Sequence, residues 1–162
     1  MNDRPASEPA AVLVKWMGIT DANSAGFIHG GTVMKLCDEA AGLAAVRHSH
    51  LRVVTAAVDR MTFLHPVFVG DLLTLSARVN AVWRTSMEVG VRVEAENPRT
   101  GESRQTGTAY FTMVAMDEEG RPTAVPDVPI ENPDQERRAR EAQVRRANRL
   151  AERDELRAGR GD

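Results

Sequence analysis

The chain has a single cysteine, Cys37, so no disulfide can form within it and nothing marks an oxidising compartment. It has no run of 18 consecutive apolar residues, so no membrane-spanning helix is expected. Met1 to Ala10 carries Asp3, Arg4 and Glu8 with no apolar run behind a basic start, so no secretory signal is read there. Neither sign of charge dominates. With 21 Lys and Arg against 23 Asp and Glu, the formal net charge is −2, which argues against a general nucleic-acid binder. The expectation is a soluble cytoplasmic protein. At 162 residues and 42% hydrophobic, with 12 glycines besides, the composition suits one ordinary globular domain.

The charges are unevenly spread. Residues 131–162 hold nine Arg and eight acids, whereas residues 1–130 hold 12 basic and 15 acidic residues. Between them lie Pro122, Pro126, Pro129 and Pro133, which cannot form regular helix. The chain therefore divides into a body, residues 1–130, and a charged tail, residues 131–162. From Asp134 to Leu156 the tail offers Glu136/Arg140 and Glu141/Arg145 at helical spacing, and its larger apolar residues are Val144, Leu150 and Leu156. It reads as a solvated helix or a disordered tail, or else as an arm docked on a neighbouring subunit. Its interleaved acids cancel the field that nucleic acid would need.

The body reads as one helix among strands. Ala11 to Met17 is a first strand, and Thr20 to Gly31 a polar loop. Thr32 to Arg47, Ala-rich and free of proline, is a helix of about four turns. Val53 to Leu64 is β-branched, and Leu72 to Trp83 follows the turn pair Gly70-Asp71. Met87, Val89, Val91, Val93 and Ala95 alternate with Glu88, Arg92, Glu94 and Glu96, which gives a strand with one wet face. Asn97 to Gly101 is a hairpin turn, and Arg104 to Met116 a last strand. Strands after a single helix predict an α+β fold with an antiparallel sheet wrapped on that helix.

Three features carry candidate chemistry. The helix segment LCDEAAGLAAV, Leu36 to Val46, is small and apolar except for Asp38 and Glu39, which lie about 100° apart on it. One belongs at a rim and the other in or near a cleft. A carboxylate in an apolar pocket tends towards a raised pKa, useful to a general base, although a structural salt bridge is the commoner role. The helix is entered through Ile28-His29-Gly30-Gly31-Thr32, where two glycines permit close approach to N–H groups that can stabilise an oxyanion. Asn23 can orient a water or a carbonyl, or simply form an Asx-turn. His29, His48, His50 and His65 show no metal-ligand spacing, and His48-Ser49-His50 suits a helix C-terminal cap.

The run Asp21-Ala22-Asn23-Ser24-Ala25-Gly26-Phe27-Ile28-His29-Gly30-Gly31, then Met34 to Ala41, resembles the hot-dog acyl-CoA thioesterases. The resemblance is greatest to the branch of YciA-type bacterial and vertebrate brain acyl-CoA hydrolases. It continues through Thr55 to Phe63, Pro66-Val67, Val69-Gly70-Asp71, Trp83 to Met87, and Tyr110 to Asp117, covering roughly residues 8–128. It implies a hot-dog fold, pairing of two copies into one sheet, often three such dimers together, and a site between protomers. By it, Asp38 is general base or nucleophile, with Glu39 ranked below it. Asn23 of the partner chain orients water or substrate, and the N–H of Gly30 or Gly31 polarises the thioester carbonyl. Arg84, Thr85 and Ser86 lie where the family meets CoA, with His29, Arg60 and Arg104 as further contacts. Met34 and Phe63 line the acyl tunnel. The branch pattern has glycine near position 83, where this chain has Trp83. Neither metal nor cofactor is implied, coenzyme A being part of the substrate. Two other readings of the fold are an enoyl-CoA hydratase, using Asp21 and His29, and a non-catalytic acyl-CoA-sensing module.

Overall fold

The computed structural model describes residues 10–161. Most of the N-terminal stretch in which no secretory signal is read, and Asp162, lie outside them. No helix among the described residues is long and apolar enough to cross a membrane. Strand β1 (Ala11–Trp16) leads through a short 3-10 turn into helix α1 (Gly30–Ser49). Strands β2 (Arg52–Phe63), β3 (Leu72–Val82), β4 (Ser86–Glu96) and β5 (Ser103–Met116) follow, and helix α2 (Pro133–Arg160) ends the chain. The sheet order is β1-β3-β4-β5-β2, antiparallel throughout, with β1 and β2 as its edges.

The alternating side chains of the strands supply one apolar face. Leu73, Leu75, Met87, Val89, Val93 and Met113 are fully buried against α1. The helix offers them Cys37, Ala40, Ala41, Ala44 and Ala45, all at 0% exposure. Small residues along this stripe let the helix lie close on the curved sheet. This is the α+β arrangement expected from the element order, and it has the form of the hot-dog fold that the resemblance implies.

Helix α1 extends two residues beyond the expected bounds at each end. Gly30 and Gly31 join its first turn because N–H groups there need no intrahelical partner. The far end closes at His50, in the left-handed region at φ 58°, whose N–H donates to the Val46 carbonyl at 2.8 Å. His48 Nε2 bonds the Pro126 carbonyl at 2.8 Å, so this histidine ties the exit segment to the helix.

The tail is neither disordered nor merely solvated. Asn132 caps α2 by accepting from the Gln135 N–H at 2.9 Å, with Pro133 in the first turn where proline is tolerated. The helix then crosses the outer face of its own chain's sheet. Arg145 donates from Nε and a terminal nitrogen to both oxygens of Glu88, at 2.9 and 2.7 Å. Its guanidinium also stacks 3.7 Å from the Tyr110 ring centroid. Arg149 pairs with Asp59, and Arg146 lies 4.4 Å over the Trp83 ring, whose Nε1 donates to Gln143 at 3.2 Å.

Two sequence expectations are corrected by this docking. Glu88 is not on a wet face; it is 1% exposed, because α2 covers it. The Glu141/Arg145 pair is not made, since Arg145 turns down to Glu88 and Glu141 pairs with Arg137 at 2.9 Å. The expected Glu136/Arg140 pair does form, at 3.3 Å. Gly90 shares this outer face for a steric reason: a Cβ there would stand 2.7 Å from the Asn80 amide nitrogen, which donates to Glu88 at 2.9 Å.

Candidate active site

The first turn of α1 presents a donor cluster. The helix's first backbone bond runs from the Val33 N–H to the His29 carbonyl at 3.2 Å, so Gly30, Gly31 and Thr32 keep N–H groups with no partner inside the helix. These lie at the positive end of the helix dipole. A Cβ on Gly31 would meet nothing within 4 Å, whereas one on Gly30 would touch the Phe63 ring at 3.4 Å. Around this end Phe27, Ile28, Val33, Phe63 and Leu64 line an open apolar pocket.

Asn23 sits in the loop before this turn. Its side-chain oxygen accepts from the N–H groups of Ala25 at 2.9 Å and Phe27 at 3.2 Å, an Asx-type arrangement. The oxygen is thereby spent on the loop, and the amide nitrogen is the end left to face a ligand. The same loop is braced by Asp21, whose carboxyl is held below its usual pKa by the Gly18 N–H, at 2.9 Å.

Asp38 lies two turns into α1. Its Oδ1 accepts from the Thr55 hydroxyl of β2 at 2.5 Å. Contrary to the expectation of a carboxylate in an apolar pocket, Asp38 is exposed in the single chain. Glu39 is the solvated neighbour, 4.0 Å from Lys35 on the same helix. The surface beside Asp38 is incomplete rather than polar. Met34, Leu43 and Val46 of α1 and Val54, Val58 and Phe63 of β2 are all exposed. Strand β2 is moreover a sheet edge with one side unpaired.

Of the remaining sequence candidates, His29 alone stands at this site within one chain. His29 caps α1 and is exposed, next to the glycines. Arg84 and Thr85 lie in the β3–β4 connection and Ser86 opens β4, and their carbonyls accept from Val125, Ala115 and Trp83. Since Ser86 is in register with Val114, and Arg52 with Met116, that connection lies by the C-terminal end of α1, opposite Gly30. Arg60 is on the outer face beside α2, with Tyr110 and Arg149. Arg104 is committed to buried Asp71 at 2.7 Å and stacks on Phe68. No group of His, Cys, Asp and Glu able to hold a metal occurs among the described residues. Thr55 had no role assigned from sequence; the available signal was its place on the strand that follows the helix.

An antiparallel sheet curled on one long helix, with a glycine-gated helix start and a carboxylate two turns on, defines a hot-dog protein of the thioesterase kind. A thioesterase superfamily pattern matches residues 25–102. A protein of Zymomonas mobilis described as an uncharacterized acyl-CoA thioester hydrolase is 43% identical over 122 residues, 75% of this chain and 80% of that protein. The chain belongs to this family of acyl-CoA thioester hydrolases. A hexameric acyl-CoA thioesterase of solved structure superposes with TM-score 0.84 at 39% identity, over 87% of this chain and 90% of the other. An acyl-CoA hydrolase from Staphylococcus aureus, solved with butyryl coenzyme A, coenzyme A and coenzyme A disulfide, gives TM-score 0.83 at 32% identity, covering 91% and 90%. The chain spans about a third (35%) of the length of the rat cytosolic acyl coenzyme A thioester hydrolase it matches at 37% identity.

Proposed function

We propose that this protein hydrolyses acyl-CoA thioesters to a carboxylic acid and coenzyme A. The observation that carries the reading is the pairing of unpartnered N–H groups at Gly30 and Gly31 with Asp38 two turns along the same rigid helix. Attack by water on the thioester carbon turns the carbonyl into an oxyanion. A preorganised N–H donor stabilises such a charge by about 3–4 kcal/mol. Asp38, held by Thr55, takes the proton from the attacking water, and the sulfur departs as a thiolate, which needs little help from an acid. Asn23 contributes its amide nitrogen to water or carbonyl from the second chain. No metal or cofactor takes part in this chemistry. The choice of residues is supported by the S. aureus hydrolase, for which structures of variants with an Asp, an Asn or a Thr replaced by alanine have been solved.

The active unit in this reading is a pair of chains joined at β2, assembled further into a hexamer as in the solved relative. The exposed apolar side chains of β2 and α1 and the open strand edge support that pairing. It also explains why Arg84, Thr85 and Ser86 lie far from the chain's own Gly30: they serve CoA bound at the partner's glycines. Arg60 and His29 are further CoA contacts in the same assembly. The protein works in the cytoplasm, the compartment in the rat relative's name.

The test is release of CoA from a panel of acyl-CoAs by purified protein. Asp38→Ala should lower turnover at least a hundredfold with circular dichroism and oligomeric state unchanged. Wild-type turnover in that variant refutes the assignment.

A further inference from the structure

Helix α2 is longer than the sheet it crosses. It passes Arg78 of β3 near Asp134 and Arg138, meets Glu88 of β4 and Tyr110 of β5 through Arg145, and reaches Asp59 of β2 through Arg149. Strand β2 is the edge of the sheet, yet the helix runs on to Arg160. Ala151 to Arg160 are all exposed, roughly 15 Å of helix at a rise of about 1.5 Å per residue. The stripe of α2 that faces the sheet does not stop where the sheet does. Seven positions bring a helix back to within about 20° of the same direction, so Ala142, Arg149 and Leu156 form one line. Ala142 is fully buried and Arg149 is paired with Asp59, but Leu156 stays 54% exposed. A matching apolar residue lies on β2. Val54 is in register with Val114, whose neighbours Met113 and Ala115 point into the core, so Val54 points away from α1, and it is 45% exposed.

We infer that the last three turns of α2 clasp a second copy of this chain, with Leu156 seated on that copy's Val54. The inference rests on the pairing of two chains at β2. A twofold axis through that seam continues the sheet and turns both outer faces to one side, so the second copy's strands lie where the helix overhangs. The two α2 rods then run antiparallel. Val54 and Asp59 are five residues apart, roughly 16 Å along an extended strand and more than a helix diameter of about 10 Å. That spacing lets each rod cross its own β2 at Asp59 and land beside the other copy's Val54 without striking the other rod.

The test uses the full chain with cysteines introduced at both positions. Cys37 is buried and its thiol is pushed up to about 12, so it stays silent to maleimides near neutral pH. Leu156→Cys combined with Val54→Cys, treated with a short bis-maleimide, should give a covalent dimer on a denaturing gel, and neither single variant should. Sedimentation velocity of the same samples reads the pairing itself. A paired double variant with no covalent dimer, or with the link made inside one chain, overturns the inference and leaves the pairing at β2 standing. Wild type that sediments as a monomer overturns both. Leu156→Asp should raise the dissociation constant of the pair about tenfold. Ala151→Asp, half a turn round from the sheet-facing stripe and exposed, should leave it unchanged. Equal effects of the two substitutions also overturn the inference. Circular dichroism of each variant separates lost pairing from lost folding.

Discussion

Replacing Arg145 by alanine should destabilise the protein more than any other single change on α2. Glu88 is 1% exposed, and Arg145 meets both its oxygens. Without Arg145 the carboxylate keeps only Asn80 as a partner, at 2.9 Å. Removing one member of a buried pair costs about 3–5 kcal/mol, because the other charge stays out of water uncompensated. For a chain of this size each kcal/mol moves the thermal midpoint by about 2–4 °C, so a fall of roughly 6–20 °C is expected. Arg145→Lys should recover only part, since a single ammonium cannot serve both oxygens or stack on Tyr110 as flatly. The double substitution Glu88→Gln with Arg145→Met removes both charges and keeps an acceptor for Asn80; it should lie within about 1 kcal/mol of wild type. Thermal unfolding followed by circular dichroism measures all three, with Arg157→Ala as the exposed control. If Arg145→Ala shifts the midpoint no more than that control, the buried pair does not hold α2 to the sheet.

Other outcomes follow from single contacts. Thr55→Val removes the 2.5 Å hydrogen bond to Asp38 and should lower kcat several-fold, with KM little changed, in CoA-release assays. Gly31→Ala should leave the thermal midpoint unchanged or raise it, because glycine costs a helix interior up to about 1 kcal/mol against alanine and a Cβ there meets nothing. It should nevertheless lower kcat/KM if the acyl group approaches that turn; unchanged activity would place the carbonyl elsewhere. Burial pushes the Cys37 thiol up to about 12. The unfolded thiol loses its proton near the ordinary 9.0 while the folded one keeps it, so this group costs stability as pH rises from 9 towards 12. Denaturant melts across that range, compared with Cys37→Ala, should show the difference, and a thiol reagent at pH 8 should label Cys37 only after unfolding.

The element order was readable in the sequence because alternation and turn residues repeat regularly from Leu72 to Met116. The helix was readable for the opposite reason, an Ala-rich stretch without proline or strand-like alternation. Expectation and structure part where a second surface intervenes. Glu88 alternates like a solvated residue, and only the docking of α2, 57 positions on in sequence, buries it. Trp83, where the resemblance implies glycine, becomes intelligible once Arg146 is seen over its ring and Gln143 accepting from its Nε1. Asp38 stood out in the sequence as a carboxylate on an apolar helix, but its setting was not legible, because one chain leaves its surroundings open. Asn23 carries the Asx-type bonds weighed for it, and that leaves its amide nitrogen available.

Helix α2 also limits how copies of this chain can meet. Bare sheets stack about 10 Å apart, and a helix with its side chains is about as thick. A rod lying from Arg78 to Asp59 over that face keeps any second sheet at least its own width away. Direct stacking of two bare sheets is closed to this protein, so copies that approach from that side meet α2 and not the strands.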